Sequence, residues 1–406
     1  MSQFRFIAAV AIALFSGQGL FLILGPLLVE IAGEFDVSVA VAGQLATATF
    51  AAWGVSVVIS GPMSDSFGRR PVALTGLTLL SAGAFASAVA PNFESLMAAR
   101  ILTGLGGGMI PPNSLAAVAD VVSPERRAQA VGGIMAFNTS STVITIPLLA
   151  LVADLAGWRS PFLIMGSVMA ACVVLNWFWF PRSTGSGRGD FSFLSRYREL
   201  LTLPVYRAAM ATNFAQRIAF FALFSYLAAY LIEDYGMSVG AVALPMALAG
   251  VGRVLGSLMG GPVAERRNRM SLIAISSFVG GVCSVLVFSV HLSLWLTIAM
   301  SMVGMATLSV GWPVLITFST EVSGKSRATG VGLLGFCNQT GGVAGAAMGG
   351  ALLATTGFAG IGYLCLGAAV FSLLVIALFM RPETAGAGLL VENQADRPGE
   401  ILQKEN

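Results

Sequence analysis

The sequence predicts an all-α polytopic membrane protein with twelve transmembrane helices in two parallel-repeat bundles of six. Composition is the first ground. Of 406 residues, 56% are hydrophobic and only 10% charged, against roughly 25% charged in a soluble domain. Segmentation is the second: the apolar residues fall into twelve stretches, each long enough for the ~20 residues that a bilayer-crossing helix needs. The third is self-similarity, because shifting the chain by 200 residues lays one half on the other.

The stretches are 6–32, 40–61, 72–90, 93–119, 128–154, 158–180, 206–232, 239–262, 270–290, 293–319, 328–355 and 357–379. Each is continuously apolar, whereas a barrel strand would alternate apolar and polar residues. The first is too long for a cleaved signal peptide, and more membrane helix follows it. Twelve spans leave about 34 residues for each span and its loop, too few for a soluble catalytic domain. Residues 181–205 are polar, Gly/Ser-containing and basic, the character of a linker. The expected units are a bundle at 1–180, the linker at 181–205, a second bundle at 206–380 and a tail at 381–406.

Basic residues orient the chain. All but four of the 22 Lys and Arg lie at the N-terminus, in the even-to-odd connections or in the tail. The opposite connections hold Arg159 alone and carry the acids Glu34, Asp36, Glu94, Glu233 and Asp234. By the positive-inside rule both termini are expected in the cytoplasm, which requires an even number of spans in the plasma membrane.

At the 200-residue offset Gly61, Pro62 and Asp65 fall on Gly261, Pro262 and Glu265. The register persists through Arg127 on Arg327, Asn138 on Asn338, Val143 on Val343 and Gly157 on Gly357. Each half contains an even number of helices and enters from the same side. The halves are therefore parallel repeats about an axis along the membrane normal, a layout that lets them rock around a central site.

Other classes find no support. Cys172, Cys283, Cys337 and Cys365 lie in apolar stretches without CxxC spacing, and His291 is the only histidine, so neither a disulfide framework nor a metal site is expected. No HExxH or GxSxG motif is present, and Gly104-Leu105-Gly106-Gly107-Gly108 follows no strand and is a helix-packing run. An enzyme, an ATP-driven pump and nucleic-acid binding are not expected, nor is any cofactor. A channel would have no use for paired repeats with charges on one face.

The turn after the second span is Gly61-Pro62-Met63-Ser64-Asp65-Ser66-Phe67-Gly68-Arg69-Arg70-Pro71. It resembles the G-x-L-[AS]-D-[RK]-x-G-[RK]-[RK] signature of the major facilitator superfamily, with Met63 in place of leucine and Ser66 in place of a basic residue. The resemblance implies the major facilitator fold and a cytoplasmic charge latch holding the outward-open state. Gly61, Asp65, Gly68, Arg69, Arg70, Asp120 and Arg127 would form it, with Arg126 also in reach and Glu265, Glu321 and Arg327 repeating it in the second half. The alternative is that these charges only set topology, although acids contribute little to that.

In the fourth span, Arg100-Ile101-Leu102-Thr103-Gly104 resembles the superfamily's R-x-x-x-G motif of proton-coupled members. Arg100 is either a coupling residue or paired with a carbonyl or Asp154. Gly157-Trp158-Arg159-Ser160-Pro161-Phe162 looks like the twelve-helix drug:proton antiporter branch. The glycine run usual in the fifth span of that branch is missing, and only Pro147 survives; Gly341, Gly345 and Gly349 sit in the eleventh span instead.

In this architecture the first and fourth spans of each half line the cavity. The expected substrate-binding residues are Gln18, Asn113, Asn213, Gln216, Arg217 and Trp312, joined by Asn138, Asn338 and Gln339 and by the aromatic wall that begins at Phe220. Arg100, Arg217 and Arg253 lie deep in spans, whereas Glu30, Asp120, Asp154 and Glu321 lie near helix ends. Glu30 and Asp154 are the carboxylates placed to carry a proton, and the deep arginines favour neutral or anionic substrates over lipophilic cations. The expected function is secondary transport of a small organic molecule by a monomeric carrier in the bilayer, as proton-coupled efflux. The alternative is uptake or exchange of a small metabolite or organic anion.

Overall fold

A computed structural model of the chain describes residues 2–182, 198, 200–323 and 327–380. Every element among them is helical: α1 (Ser2–Leu22), α2 (Leu24–Glu34), α3 (Val39–Ala42), α4 (Gln44–Phe67), α5 (Arg69–Ala88), α6 (Phe93–Val121), α7 (Pro124–Ala156) and α8 (Arg159–Trp179). After the linker come α9 (Pro204–Tyr235), α10 (Ala243–Ala264), α11 (Arg269–Ser289), α12 (Leu294–Ser309), α13 (Gly311–Val322), α14 (Arg327–Thr356) and α15 (Phe358–Phe379). The tail and most of the linker lie outside the described residues.

Two of the expected spans are interrupted for a common reason. Proline has no N–H to offer the carbonyl four residues back, and its ring crowds that carbonyl. Pro26 faces the carbonyl of Leu22, where α1 ends, and Pro313 faces that of Ser309, where α12 ends. The connecting residues Ile23 and Val310 keep right-handed helical dihedrals, so each rod bends rather than stops. A third break, at Gly43, separates the short α3 from α4.

Among the described residues, ten helical segments combine the length and apolarity to cross a membrane. The two long helices outside that set are α6, with 29 residues that include Pro111 and Pro112, and α14, with 30 residues of which eight are glycine. Their glycines serve close packing. A Cβ on Gly108 would come within 2.6 Å of the Trp53 carbonyl on α4, and one on Gly345 within 2.6 Å of the Ile218 carbonyl on α9.

Within the first half α6 packs on α4 and α5, α5 on α8, and α1 on α7. In the second, α9 packs on α14 and α15, α11 on α15, and α10 on α12. The halves meet along two long seams, α4 against α14 and α7 against α10, and α2 leans on α9. Consequently α9 is the most enclosed rod, 94% buried over its apolar window, whereas α8 is only 33% buried and presents its apolar residues outward. The repeat is visible in the backbone: Gly157 and Gly357 both hold positive φ, 79° and 69°, at the turns into α8 and α15.

Candidate functional site

Several close contacts between the halves lie toward the end of the molecule that carries the acidic loops. There Gly43 of α3–α4 and Gly350 of α14 flank the Tyr226 ring of α9: a Cβ on Gly350 would lie 2.7 Å from the Tyr226 hydroxyl, and one on Gly43 would overlap that oxygen. The hydroxyl donates to the Ala346 carbonyl at 2.8 Å. Beside this seam Gly25 approaches the Phe224 and Ser225 carbonyls, with Cβ room of only 3.5 Å. Small residues allow two bundles to close to backbone distance without a hydrophobic driving force.

On the same face Glu34 accepts from Trp158 Nε1 at 2.6 Å and from Arg159, whose other arm donates to the Ala90 carbonyl at 2.9 Å. The Arg159 hydrogen bond holds the Glu34 carboxyl below its ordinary range. The Trp-Arg pair read as a branch signature thus ties α2 and α8 to the turn before α6.

The basic end is organised differently. Asp120 accepts from Arg69 Nε at 2.8 Å. Arg269 forks onto Glu321, one bond measuring 2.9 Å. Arg269 follows Arg69 by the repeat offset of 200, and Glu321 follows Asp120 by one residue more. Each pair lies within one half, and among the described residues no ion pair joins the halves.

Some of the expected latch residues meet in these pairs. Asp120 is engaged by Arg69 of its own bundle, and in the second half Glu321 meets Arg269, which sequence reasoning passed over although the repeat offset pointed to it. Glu265 is exposed at the end of α10. Gly68 makes the α4–α5 turn at φ 89°, and Arg70 lies over the Trp177 ring and donates to its carbonyl. The Gly61, Asp65, Arg126, Arg127 and Arg327 expectations have no contacts to report here: Gly61, Asp65, Arg127 and Arg327 lie outside the described side chains, and Arg126 is exposed.

Between these ends stand the deep arginines. Arg100 is fully buried, donates to the Leu20 carbonyl at 3.3 Å and lies 5.5 Å from the Phe162 ring; its Nε and Nη1 have no partner. Of the two pairings expected for it, with a carbonyl or with Asp154, the carbonyl contact is present. Arg217, 6% exposed, donates to the Leu308 carbonyl at 2.8 Å. Arg253 is half-buried and reaches across the α7–α10 seam to Thr142 Oγ1 at 2.5 Å. Arg217 and Arg253 converge on one ring, their guanidinium carbons 4.9 and 5.5 Å from the Phe220 centroid.

The aromatic wall continues from there. Phe220 contacts Phe221 and Phe224, and Phe221 crosses to Phe50 of the first half at 4.8 Å. Phe50 leads to Trp53 and Trp53 stacks on Phe21 at 4.4 Å.

The remaining expected residues scatter. Gln216 donates to Ser277 at 2.6 Å and Asn213 to the Leu334 carbonyl at 3.1 Å, so both tie α9 to other helices of its own bundle. Asn113 bonds within its own helix, to the Met109 carbonyl, and Asn138 bridges α7 to the Leu14 carbonyl of α1. Asn338 donates to Gln339, whose Nε2 is buried without a partner. Gln18 is half-buried on α1, and Trp312 packs against the apolar cluster around Phe318. Glu30 is half-buried with one carboxylate oxygen enclosed and unpartnered, whereas Asp154 is exposed, its carboxylate against Gly240 across the seam.

Two helical bundles joined along two seams, with buried arginines that meet no carboxylate among the described residues, define a membrane carrier. The family follows from comparison: the Major Facilitator Superfamily model matches residues 10–337 and 209–399, and the chain belongs to that superfamily. The Escherichia coli inner membrane transport protein YdhP is 27% identical over 372 residues, covering 88% of this chain and 92% of that one. A gallate transporter of Pseudomonas putida is 25% identical over 356 residues, 79% of each chain. Among solved structures, a bacterial homologue of the human lysosomal transporter Spinster, inward-facing and unoccupied, superposes with a TM-score of 0.77 at 17% identity over 95% of this chain and 98% of that one.

Proposed function

We propose that this major facilitator protein is a secondary active transporter that exports a small organic molecule by alternating access in exchange for protons. The observation that carries the reading is the asymmetry of the seam. The bundles touch through glycines and Tyr226 at the acidic end, while at the basic end the two ion pairs among the described residues each stay inside one bundle. That is one of the two end states a rocking carrier visits. With the basic end in the cytoplasm, as the positive-inside rule requires, the state is open inward. The working unit is a monomer in the inner membrane with both termini cytoplasmic. Its bundles are 1–180 and 206–380, joined by the linker at 181–205 and followed by the tail at 381–406.

Proton coupling is assigned to Glu30, whose enclosed carboxylate oxygen has no partner among the described residues, together with Asp154 near it on the same side. Purified protein reconstituted into vesicles carrying a pH-sensitive dye tests this. Substrate addition should move protons against the substrate's direction, and Glu30→Gln should leave exchange of labelled substrate while abolishing proton movement. Transport with no pH response in either protein would refute the coupling.

A second reading, uptake or exchange of an organic anion, is favoured by the two arginines on Phe220 and by the similarity to a gallate transporter. Accumulation inside vesicles under an inward proton gradient separates it from export.

A further inference from the structure

We infer that Arg217 and Arg253 form a carboxylate clamp around Phe220, and that Thr142 occupies the carboxylate's place on Arg253 in the empty carrier. The transported molecule is then a small organic carboxylate with an apolar body. The inference rests on the alternating-access reading and adds the substrate class.

An uncompensated cation within a membrane is costly and marks a partner, a water-filled path or a ligand. Here two guanidinium groups approach one ring and lie close enough to repel each other. Neither meets a carboxylate among the described residues. Their protein partners are neutral oxygens, the Leu308 carbonyl for Arg217 and the Thr142 hydroxyl for Arg253. Arg217 Nε is buried without a partner among the described residues. The ring face offsets part of the cost, since a cation over an aromatic face gains about 0.5–2 kcal/mol, but it supplies no charge. A ligand bearing one negative charge would compensate what the protein leaves open.

Carboxylate fits better than a cation or a neutral amide because the guanidinium fork matches its two oxygens. An apolar body suits the rings beside the two arginines, Phe220, Phe221 and Phe224 on α9 and Phe50 from the opposite bundle.

Thr142 gives the clamp its second property. It stands on α7 of the first bundle and Arg253 on α10 of the second, so their bond spans the seam that must change when the carrier rocks. A hydroxyl is a weaker partner for arginine than a carboxylate, because it offers one neutral oxygen where the carboxylate offers two charged ones that the guanidinium fork engages together. Binding therefore exchanges a cross-seam tether for a contact with the ligand.

Isothermal titration of detergent-purified protein with benzoate, phenylacetate, benzamide, benzyltrimethylammonium and inorganic phosphate tests this. Benzoate or phenylacetate should bind, and Arg253→Gln should weaken that binding on the order of ten-fold or more. Arg253→Lys should fall between, having charge without the fork. Thr142→Val, of matching shape, should tighten carboxylate binding. Arg217→Gln should act like Arg253→Gln; if that buried substitution fails to fold, the Arg253 and Thr142 variants decide alone. The inference is overturned if the wild type binds no carboxylate, if Arg253→Gln keeps full carboxylate affinity, or if Thr142→Val weakens it. Should vesicles carry benzamide or the quaternary ammonium by a proton-dependent route that Arg253→Gln leaves intact, the carrier reading stands and the clamp falls. If carboxylates bind through Arg253 but none crosses the membrane, the clamp stands and the carrier reading falls.

Discussion

Tyr226 shows how single residues set the closed end. Its hydroxyl reaches the Ala346 carbonyl only because Gly43 and Gly350 present no side chain. Gly350→Leu would place a branched chain where the Tyr226 hydroxyl, Gln44 Nε2 and the Ala40 carbonyl already lie, so the acidic end should spring open. Alkylation of an A354C reporter, beside the shallow depression at that seam, should then be faster than in the parent with Gly350 intact. Glu34 offers a second test at this scale. Its carboxyl is held below its ordinary value of 4.5, so its contribution to stability is fully present above that pH and is lost as the pH falls through the lower folded value. Thermal midpoints should decline below about pH 4.5, with a smaller decline in Glu34→Gln.

Residues of this kind were unevenly legible in the sequence. The depth of Arg100, Arg217 and Arg253 followed from hydropathy alone, because any charge inside a continuous apolar stretch stands out. Which way Gln216 points did not: Asn213, Gln216, Phe220 and Phe224 share the spacing of one face, yet Gln216 bonds Ser277 inside its bundle while Phe220 meets two arginines. Thr142 carried no signal at all, being one hydroxyl among several on α7, and only the approach of α10 gives it a partner.

At the scale of elements, span positions were readable because a bilayer demands continuous apolarity, and the breaks were readable in principle from Pro26 and Pro313. What the pattern concealed is that α6 and α14, the two long helices outside the membrane-crossing set, make close glycine contacts with α4 and α9. The proline breaks give a prediction. Pro313→Ala lets residue 313 donate to the Ser309 carbonyl and should join α12 to α13, raising stability by up to about 3 kcal/mol. A straightened rod removes a bend next to Trp312, so turnover in vesicles should fall as the thermal midpoint rises. A variant that gains stability and keeps its turnover would show the bend to be incidental.

For the molecule as a whole, the repeat is most explicit in charge. Arg69–Asp120 and Arg269–Glu321 brace equivalent helix ends in the two bundles, and as partly exposed pairs each contributes only about 0–1 kcal/mol to stability. Combined Asp120→Asn and Glu321→Gln should therefore barely move the thermal midpoint. Transport should nonetheless slow markedly if these carboxylates exchange partners between bundles as the carrier rocks, which initial rates in vesicles will show. The sequence offset exposed the two-fold plan because glycines and charged turns tolerate little drift. It could not expose which partner each charge takes, since that depends on the conformational state.

The aromatic run from Phe21 through Trp53 and Phe50 to Phe221 has a practical consequence. Trp53 has its indole N–H buried without a partner and sits one ring away from the point where the bundles touch. An indole in so dry a setting emits toward the blue, and parting Phe50 from Phe221 would admit solvent to its neighbourhood. With the other five tryptophans replaced by phenylalanine, the protein would carry a built-in fluorophore whose emission colour follows the rocking of its halves in real time, without any attached dye.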